Sequence, residues 1–331
     1  MHGLTSIPGI RVGHDTLDSR PTGCTVVLCE SGAVAGCDIR GGAPGTRETD
    51  LLAPTRMVPH IHAVCLAGGS AYGLDAASGV MRYLEEQGVG FDAHYAKVPI
   101  VPAAVLFDLP VGNASIRPDA ASGYRAAQAA TTEPVQEGSI GAGAGATVGK
   151  LLGFGRGMKG GVGSASIELS DGLIVAALAV VNAEGDVICP SGDVLAGVRT
   201  SEDGHQLADA RKLLREGISG VSWGRASGAP ENTTLAVVAT NARLTKAEAT
   251  VVAQMAHDGF ARSIVPSHGP NDGDAIFALA TGSLGRAPPV AVVGALAADL
   301  CAEAVRRAVS GATGVPGFPS VADLGRHRSV A

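Results

Sequence analysis

Short apolar runs bounded by glycine-rich turns characterise the N-terminal part of the chain and predict β-strands at 23–29, 33–38 and 63–67. Apolar residues at helical spacing then predict a helix over 72–87, and an alanine-rich segment predicts a second helix over 119–131. The pattern therefore changes from strands to helices and is not that of an all-β or all-α protein.

The second half of the chain continues this mixed pattern. Apolar runs at 164–170 and 173–181 flank Asp171-Gly172, a dipeptide typical of a tight hairpin. A β-forming run at 233–240 precedes Thr245-Lys246-Ala247-Glu248, which has the spacing of a helix capping box. The remaining predictions are helices at 206–215, 245–261 and 290–309, a strand at 276–280 and a loose tail from 311. Hairpins mixed with helices favour sheets covered by helices in one domain spanning 1–331.

Composition and charge exclude several classes of protein. The 331 residues are 46% hydrophobic but only 3% aromatic, and 47 of them are glycine, which indicates a tightly packed core. The net charge of −6 argues against a nucleic-acid partner. No apolar stretch reaches 18 residues and the first residues lack a signal-peptide pattern, so we expect no membrane association. Six cysteines without a CxxC pair favour reduced thiols and a cytoplasmic location.

Familiar catalytic motifs are missing from the sequence. The glycine-dense tract at 138–150 fits neither a phosphate-binding loop nor a dinucleotide fingerprint, and close packing or a pocket wall explains it better. The nine histidines show no helical metal spacing, so we expect no metal and no cofactor. No GxSxG nucleophile elbow occurs either.

The most distinctive segment is a polar loop that leads directly into an apolar strand. It reads Glu231-Asn232-Thr233-Thr234 and continues as an uninterrupted β-forming run. Taken as a pattern alone, this is an ordinary turn entering a buried strand.

Four segments together resemble the family of β-aminopeptidases and L-aminopeptidase/D-esterases (peptidase family S58), which includes the nylon-oligomer hydrolases. They are Ile7-Pro8-Gly9-Ile10-Arg11-Val12-Gly13-His14, Arg40-Gly41-Gly42-Ala43-Pro44-Gly45-Thr46, Leu66-Ala67-Gly68-Gly69-Ser70-Ala71-Tyr72-Gly73-Leu74 and Asn232-Thr233-Thr234. The resemblance implies an α+β fold, namely a four-layer αββα sandwich of the N-terminal-nucleophile type. It also implies cleavage between Asn232 and Thr233 into fragments 1–232 and 233–331, and a homotetramer of processed protomers.

The chemistry of threonine explains why such cleavage would create a catalyst. A threonine hydroxyl is a weak nucleophile until a base removes its proton. The α-amine of a chain terminus, with a pKa of about 7.7–8.0, can act as that base at neutral pH, whereas a peptide nitrogen cannot. Scission before Thr233 would therefore produce the nucleophile and its base together.

Further site residues follow from the same resemblance. Asn182 matches an oxyanion-stabilising asparagine, Lys150 a lysine beside the nucleophile, and Asp272 and Asp274 acidic residues that orient it. Each also has an ordinary alternative. Asn182 could be a turn residue, Lys150 a solvated lysine, and the two aspartates a plain acidic turn.

Glu137 and Tyr72 are the predicted substrate-binding residues. Glu137 resembles the acid that binds the free ammonium group of an aminopeptidase substrate, whereas Tyr72 could line the pocket or belong to the core. We therefore expect a self-processing N-terminal-threonine aminopeptidase that cleaves short peptides, amino-acid amides or esters. The alternatives are an endo-type hydrolase of 6-aminohexanoate (nylon) oligomers, an acyltransferase, and an unprocessed binding protein without activity.

Overall fold

Two β-sheets lie face to face at the centre of the fold, and helices cover both outer faces. The computed structural model describes residues 3–217 and 232–325. The strands are β1 (Arg11–Thr16), β2 (Gly23–Ile39), β3 (Thr46–Arg47), β4 (Ile61–Ala67), β5 (Phe91–Asp92), β6 (Lys97–Val98), β7 (Ala103–Val105), β8 (Thr147–Val148), β9 (Met158–Lys159), β10 (Gly161–Glu168), β11 (Ile174–Asn182), β12 (Asp186–Ile188), β13 (Val194–Ala196), β14 (Thr233–Thr240), β15 (Ile264–Val265) and β16 (Ala275–Ala280). The α-helices are α1 (Ala76–Glu86), α2 (Ala120–Gln128), α3 (Ala210–Glu216), α4 (Lys246–Ser263) and α5 (Val290–Ser310).

Strand β2 connects the two sheets because each of its halves pairs in a different one. Its first half pairs with β1 and β4, and its second half pairs with β16. One sheet therefore has the order β1-β2-β4-β7-β3 and the other the order β10-β11-β14-β16-β2. The sequence predicted two strands at 23–29 and 33–38, whereas the structure has one strand with an irregular register between Leu28 and Ala33.

Three apolar layers hold the sandwich together. Between the sheets, Leu66 of one sheet and Val237 and Phe277 of the other are fully buried in a common cluster. Outside the second sheet, α5 packs its apolar face against β10 and β11, and α4 packs beside it against β2 and β16. Outside the first sheet, α1 and α2 form the third cluster. This arrangement confirms the expected four-layer αββα sandwich.

Local sequence patterns set several elements as predicted. The apolar run at 233–240 forms β14, which is buried along its whole length between antiparallel β11 and parallel β16. Thr245 and Glu248 form the reciprocal capping box at the start of α4. The tail was expected to be loose, but Phe318, Ser320 and Val321 are buried, so this prediction is wrong for 312–325. An exposed loop is also predicted at 227–232. Residues 227–231 lie outside the described residues, and Asn232 is buried, so the expected exposure is wrong for that residue.

Within 3–217 and 232–325, no helix combines the length and the apolar character needed to cross a bilayer.

Candidate active site

Thr233 begins the central strand β14 and is only 4% exposed. Its hydroxyl donates a hydrogen bond to the carbonyl oxygen of the preceding residue, Asn232. The backbone N–H of Gly273 donates to the same oxygen at 3.0 Å. A Cβ atom at position 273 would lie 2.7 Å from the Thr233 hydroxyl oxygen, so the approach depends on glycine. The carbonyl before Thr233 is thus contacted by both a hydroxyl and a backbone donor.

Asn182 ends β11 and is the cross-strand partner of Thr233. Its side-chain oxygen accepts hydrogen bonds from the N–H of Thr147 at 2.9 Å and from the Lys150 ammonium at 3.1 Å. Its amide nitrogen donates to the carbonyl of Phe107 at 3.0 Å. These contacts on both ends fix the orientation of the amide. Asn182 is fully buried and belongs to the paired part of β11, so the alternative of a turn residue is wrong.

Lys150 lies in the same cluster, and the alternative of a solvated lysine is wrong. The side chain is 5% exposed, and its ammonium donates to both the backbone and the side-chain oxygen of Asn182, each at 3.1 Å. A positive charge is therefore held at the end of β11, one strand away from Thr233.

A second lysine, Lys159, holds the glycine-rich tract in place. Lys159 is the cross-strand partner of Thr147 and is completely buried. Its ammonium donates to the carbonyls of Gly143, Ala146 and Gly160 at 2.7, 2.9 and 3.1 Å. The three N–H donors of the group are thereby matched to three acceptors. The tract is thus packed around a buried lysine whose pKa burial lowers to about 7, in agreement with the close-packing interpretation of 138–150.

The carbonyl of Phe107 is positioned by the residue that follows it. Asp108 forms a fully buried ion pair with Arg20 at 2.8 Å. The same carboxylate accepts hydrogen bonds from the Thr22 hydroxyl and the Gly69 N–H. Charged hydrogen bonds of this kind are strong in a water-free environment, so the acceptor of the Asn182 amide is rigidly held.

Asp272 and Asp274 lie on the other side of Thr233 and are both buried. Asp274 accepts a hydrogen bond from the N–H of Thr234 at 2.6 Å. Asp272 pairs with Asn232 in an isolated parallel bridge. Burial and the neighbouring charge of Asp274 raise the pKa of Asp272 to about 7. The alternative of a plain, solvated acidic turn is therefore wrong.

Two further ionisable residues border these acids and were missed by the sequence analysis. His268 donates its backbone N–H to Asp274, and its ring Nδ1 lies 2.8 Å from the same carboxylate oxygen. Glu184 is buried, and its charge contributes to the raised pKa of Asp272. Neither residue has a local sequence signal, because both reach the site through contacts between distant segments.

Glu137 and Tyr72 lie outside this cluster. Both carboxylate oxygens of Glu137 bind the Arg307 guanidinium, at 2.7 and 2.8 Å, and one also accepts the N–H of Ser164. Tyr72 is 61% exposed and stacks on Arg117, so the core alternative for this residue is wrong. Within the described part of the chain, no hydrogen bond joins either residue to those around Thr233. Their substrate-binding roles stay predictions.

Across 3–217 and 232–325, no group of three or more histidine, cysteine, aspartate or glutamate side chains is arranged to hold a metal ion.

Comparison with known proteins places the chain in a family. The model of peptidase family S58 matches residues 2–321. The chain belongs to this family. It is accordingly a hydrolase of peptide bonds. An uncharacterized aminopeptidase of Mycobacterium tuberculosis is 44% identical over 98% of both chains. A 6-aminohexanoate-oligomer endohydrolase of a Kocuria species is 31% identical over 83% of this chain and 73% of its own.

Solved structures agree on the fold. A β-aminopeptidase from a Burkholderia species superimposes with a TM-score of 0.70 at 21% identity, covering 98% of this chain and 92% of its own. The L-aminopeptidase D-Ala-esterase/amidase from Ochrobactrum anthropi, described as a variant of the Ntn-hydrolase fold, gives 0.71 at 20% identity with the same coverage. The chain therefore shares its fold with these two solved structures.

Proposed function

We propose that this S58 peptidase is a self-processing N-terminal-threonine aminopeptidase with Thr233 as its nucleophile. The observation that carries the proposal is the buried Thr233 hydroxyl in contact with the carbonyl of Asn232, whose oxygen also accepts the Gly273 N–H. A nucleophile, a carbonyl and a donor for the developing oxyanion are the parts that acyl transfer requires.

The self-cleavage step transfers the Asn232 acyl group from nitrogen to oxygen. The Thr233 hydroxyl oxygen attacks the Asn232 carbonyl carbon, and negative charge develops on the oxygen that Gly273 contacts. The C–N bond then breaks, the former hydroxyl proton ends on the Thr233 nitrogen, and an ester joins the two residues. Water hydrolyses this ester and leaves a free carboxylate on Asn232 and a free α-amine on Thr233.

In turnover, the new α-amine takes the proton of the Thr233 hydroxyl while the hydroxyl attacks a substrate carbonyl. The amine then protonates the leaving amine and later activates water against the acyl-enzyme. The nearby Lys150 charge favours the neutral, basic form of the α-amine through like-charge repulsion. Of the two N–H groups of the Asn182 amide, one donates to Phe107, and the other is the proposed second donor to the oxyanion.

The substrates proposed are short peptides, amino-acid amides or esters, in keeping with the aminopeptidase name of the mycobacterial relative. The second candidate is an endo-type amidase, for which the Kocuria relative is the precedent. The ion pair of Glu137 with Arg307 favours this second candidate, because it occupies the carboxylate proposed to bind the substrate ammonium. A cytoplasmic homotetramer of processed protomers remains a prediction from the resemblance.

Paired substrates separate the two candidates. An aminopeptidase will cleave an amino-acid amide with a free α-amine and reject its N-acetylated form, whereas an endo-type amidase will cleave both. The Glu137→Gln variant gives an independent readout. Loss of the carboxylate charge will raise KM for free-amine substrates if Glu137 binds the ammonium. It will leave KM unchanged if the residue serves only the ion pair with Arg307.

Intact mass under denaturing conditions tests the proposal itself. Cleavage before Thr233 will divide the 32.9 kDa chain into fragments of roughly 23 and 10 kDa. Thr233→Ala will stay intact, whereas the matched control Thr234→Ala will still be cleaved because it keeps the nucleophile. A wild-type chain that stays intact, or a Thr233→Ala chain that is cleaved at the same bond, would overturn the proposed function.

A further inference from the structure

His268 contacts Asp274 through two separate groups. Its backbone N–H donates to one carboxylate oxygen at 3.1 Å, and its ring Nδ1 lies 2.8 Å from the same atom. The other carboxylate oxygen accepts the N–H of Thr234, the residue after the proposed nucleophile. Asp274 therefore bridges a histidine and the beginning of β14.

The protonation of the His268 ring follows from these contacts. An ionised carboxylate only accepts hydrogen bonds, so Nδ1 must carry the hydrogen that Asp274 receives. The second ring nitrogen, Nε2, is buried and has no hydrogen-bond partner among the described residues. Among the described residues, Asp274 is thus the hydrogen-bond acceptor of the His268 ring.

The backbone of His268 adopts a conformation that is unfavourable for a residue with a side chain. Its φ angle of +58° lies in the left-handed region, which side chains with a Cβ atom adopt infrequently. The ring packs edge-on against His257 of α4, with 4.8 Å between the ring centroids. Strained backbone at a non-glycine residue persists where the surroundings fix it, and such sites are often functional.

We propose that His268 is a positioning residue that holds Asp274 beneath the Thr234 N–H and so fixes the Thr233 hydroxyl for cleavage and turnover. This inference rests on the proposed function of Thr233. The ring makes no described contact with Thr233 itself, and it acts through Asp274 alone. The expected consequence of its loss is a slower chemical step without weaker substrate binding.

The acidic pair provides a second readout besides rate. The Asp274 charge contributes to the raised pKa of Asp272, so what neutralises that charge also affects Asp272. Without the His268 donor, the Asp274 charge acts more strongly on Asp272 and will raise the pKa of Asp272 further. The acid limb of the pH profile of kcat will therefore move to higher pH. The other ionisable groups that border this cluster are Lys150, Glu184, Asp38, Arg40 and His257.

The test compares variants at two histidines with the same backbone conformation. His268→Gly removes the ring donor without strain, and His268→Asn retains an amide N–H near the position of Nδ1 and tolerates positive φ. His94 has a φ of +66° on an exposed turn. His94→Gly is therefore the control for relief of strain without loss of a site contact. The readouts are self-cleavage by mass, kcat and KM on an amino-acid amide, and the pH profile of kcat.

In His268→Gly we expect kcat to fall by about tenfold or more, KM to stay within about twofold, and the acid limb to rise by about half a pH unit or more. His268→Asn should recover most of kcat and the original limb, and His94→Gly should match the wild type. A processed His268→Gly enzyme with wild-type kcat and pH profile would overturn this inference alone. So would a loss that His268→Asn does not recover. An intact wild-type chain would overturn the proposed function and the inference together.

Discussion

Asn182 lies directly opposite Thr233 in the antiparallel pairing of β11 with β14. The last residue of one strand thus faces the first residue of the next, and the pairing register sets their separation. A shift of either strand by one residue would place the two side chains on opposite faces of the sheet. The same sheet register therefore serves both the packing of the core and the geometry of the candidate site.

The first prediction concerns the amide of Asn182. We expect Asn182→Ala to lower kcat by roughly 10²–10³-fold, the range measured when one oxyanion donor is removed from a hydrolase. Asn241→Ala is the matched control. Asn241 follows the other end of β14, is also buried, and makes comparable hydrogen bonds to Gly172 and Ile174. Activity measured per processed protomer should fall in Asn182→Ala only. Equal losses in both variants would contradict a catalytic role.

Much of the fold could be predicted because its signals are local. The β-forming run at 233–240 and the capping box at Thr245 are each specified within a few residues, and both appear as expected. The long strand β2 was predicted as two because Ser31 and Gly32 interrupt its apolar pattern. The strand continues through this interruption because each half pairs with strands of a different sheet. This pairing depends on the tertiary structure, so the local sequence does not show it.

The candidate site could be predicted only in part, for the same reason. Thr233, Asn182 and Lys150 came from resemblance to a family, and the structure brings them together. The roles of Lys159 and His268 could not be predicted from the sequence. Their neighbours in sequence do not show whether these side chains lie at the surface or are buried among carbonyl or carboxylate groups. Their partners lie on separate turns and strands, which only the folded chain brings into contact.

The second prediction concerns the space beside the nucleophile. A methyl group at position 273 would lie 2.7 Å from the Thr233 hydroxyl oxygen and 2.9 Å from the Ala43 carbonyl. We expect Gly273→Ala to slow self-cleavage by about tenfold or more, since displacement of about 1 Å can cost 10²-fold in rate. Gly311→Ala is the control, because its nearest neighbour would be 3.3 Å away. Cleavage is followed by mass during expression, and wild-type cleavage of Gly273→Ala would exclude this geometry.

The third prediction concerns the Lys150 charge. A cation near the new α-amine lowers the pKa of that amine, so Lys150→Met should raise it. The acid limb of kcat/KM would then move to higher pH by about half a unit or more. Lys97→Met removes a charge from an exposed strand and should leave the profile unchanged. If the limb of processed Lys150→Met stays in place, the charge does not act on the amine.

The last prediction concerns the pH dependence of stability. The pKa of Asp272 is raised to about 7 in the folded chain, so between pH 4 and 7 the folded state binds more protons than the unfolded state. The free energy of unfolding must therefore fall as pH rises through this window. The side chain introduced by Asp272→Asn cannot ionise, so this variant will not show the same fall in the free energy of unfolding. It should gain about 3–4 kcal/mol over the parent chain by pH 7, with little gain at pH 4.

The comparison is best made in the Thr233→Ala background, where both chains stay uncleaved and unfold from the same covalent state. Urea unfolding at intervals from pH 4 to 8 gives the difference in free energy at each pH. Asp258→Asn, at an exposed position on α4, is the control and should show no pH-dependent gain. A gain for Asp272→Asn that is constant with pH would mean that the carboxyl is not protonated in the folded chain. In that case Asp272 would be an ionised partner of the site at all these pH values, and the charge of Lys150, which lowers its pKa, would outweigh burial.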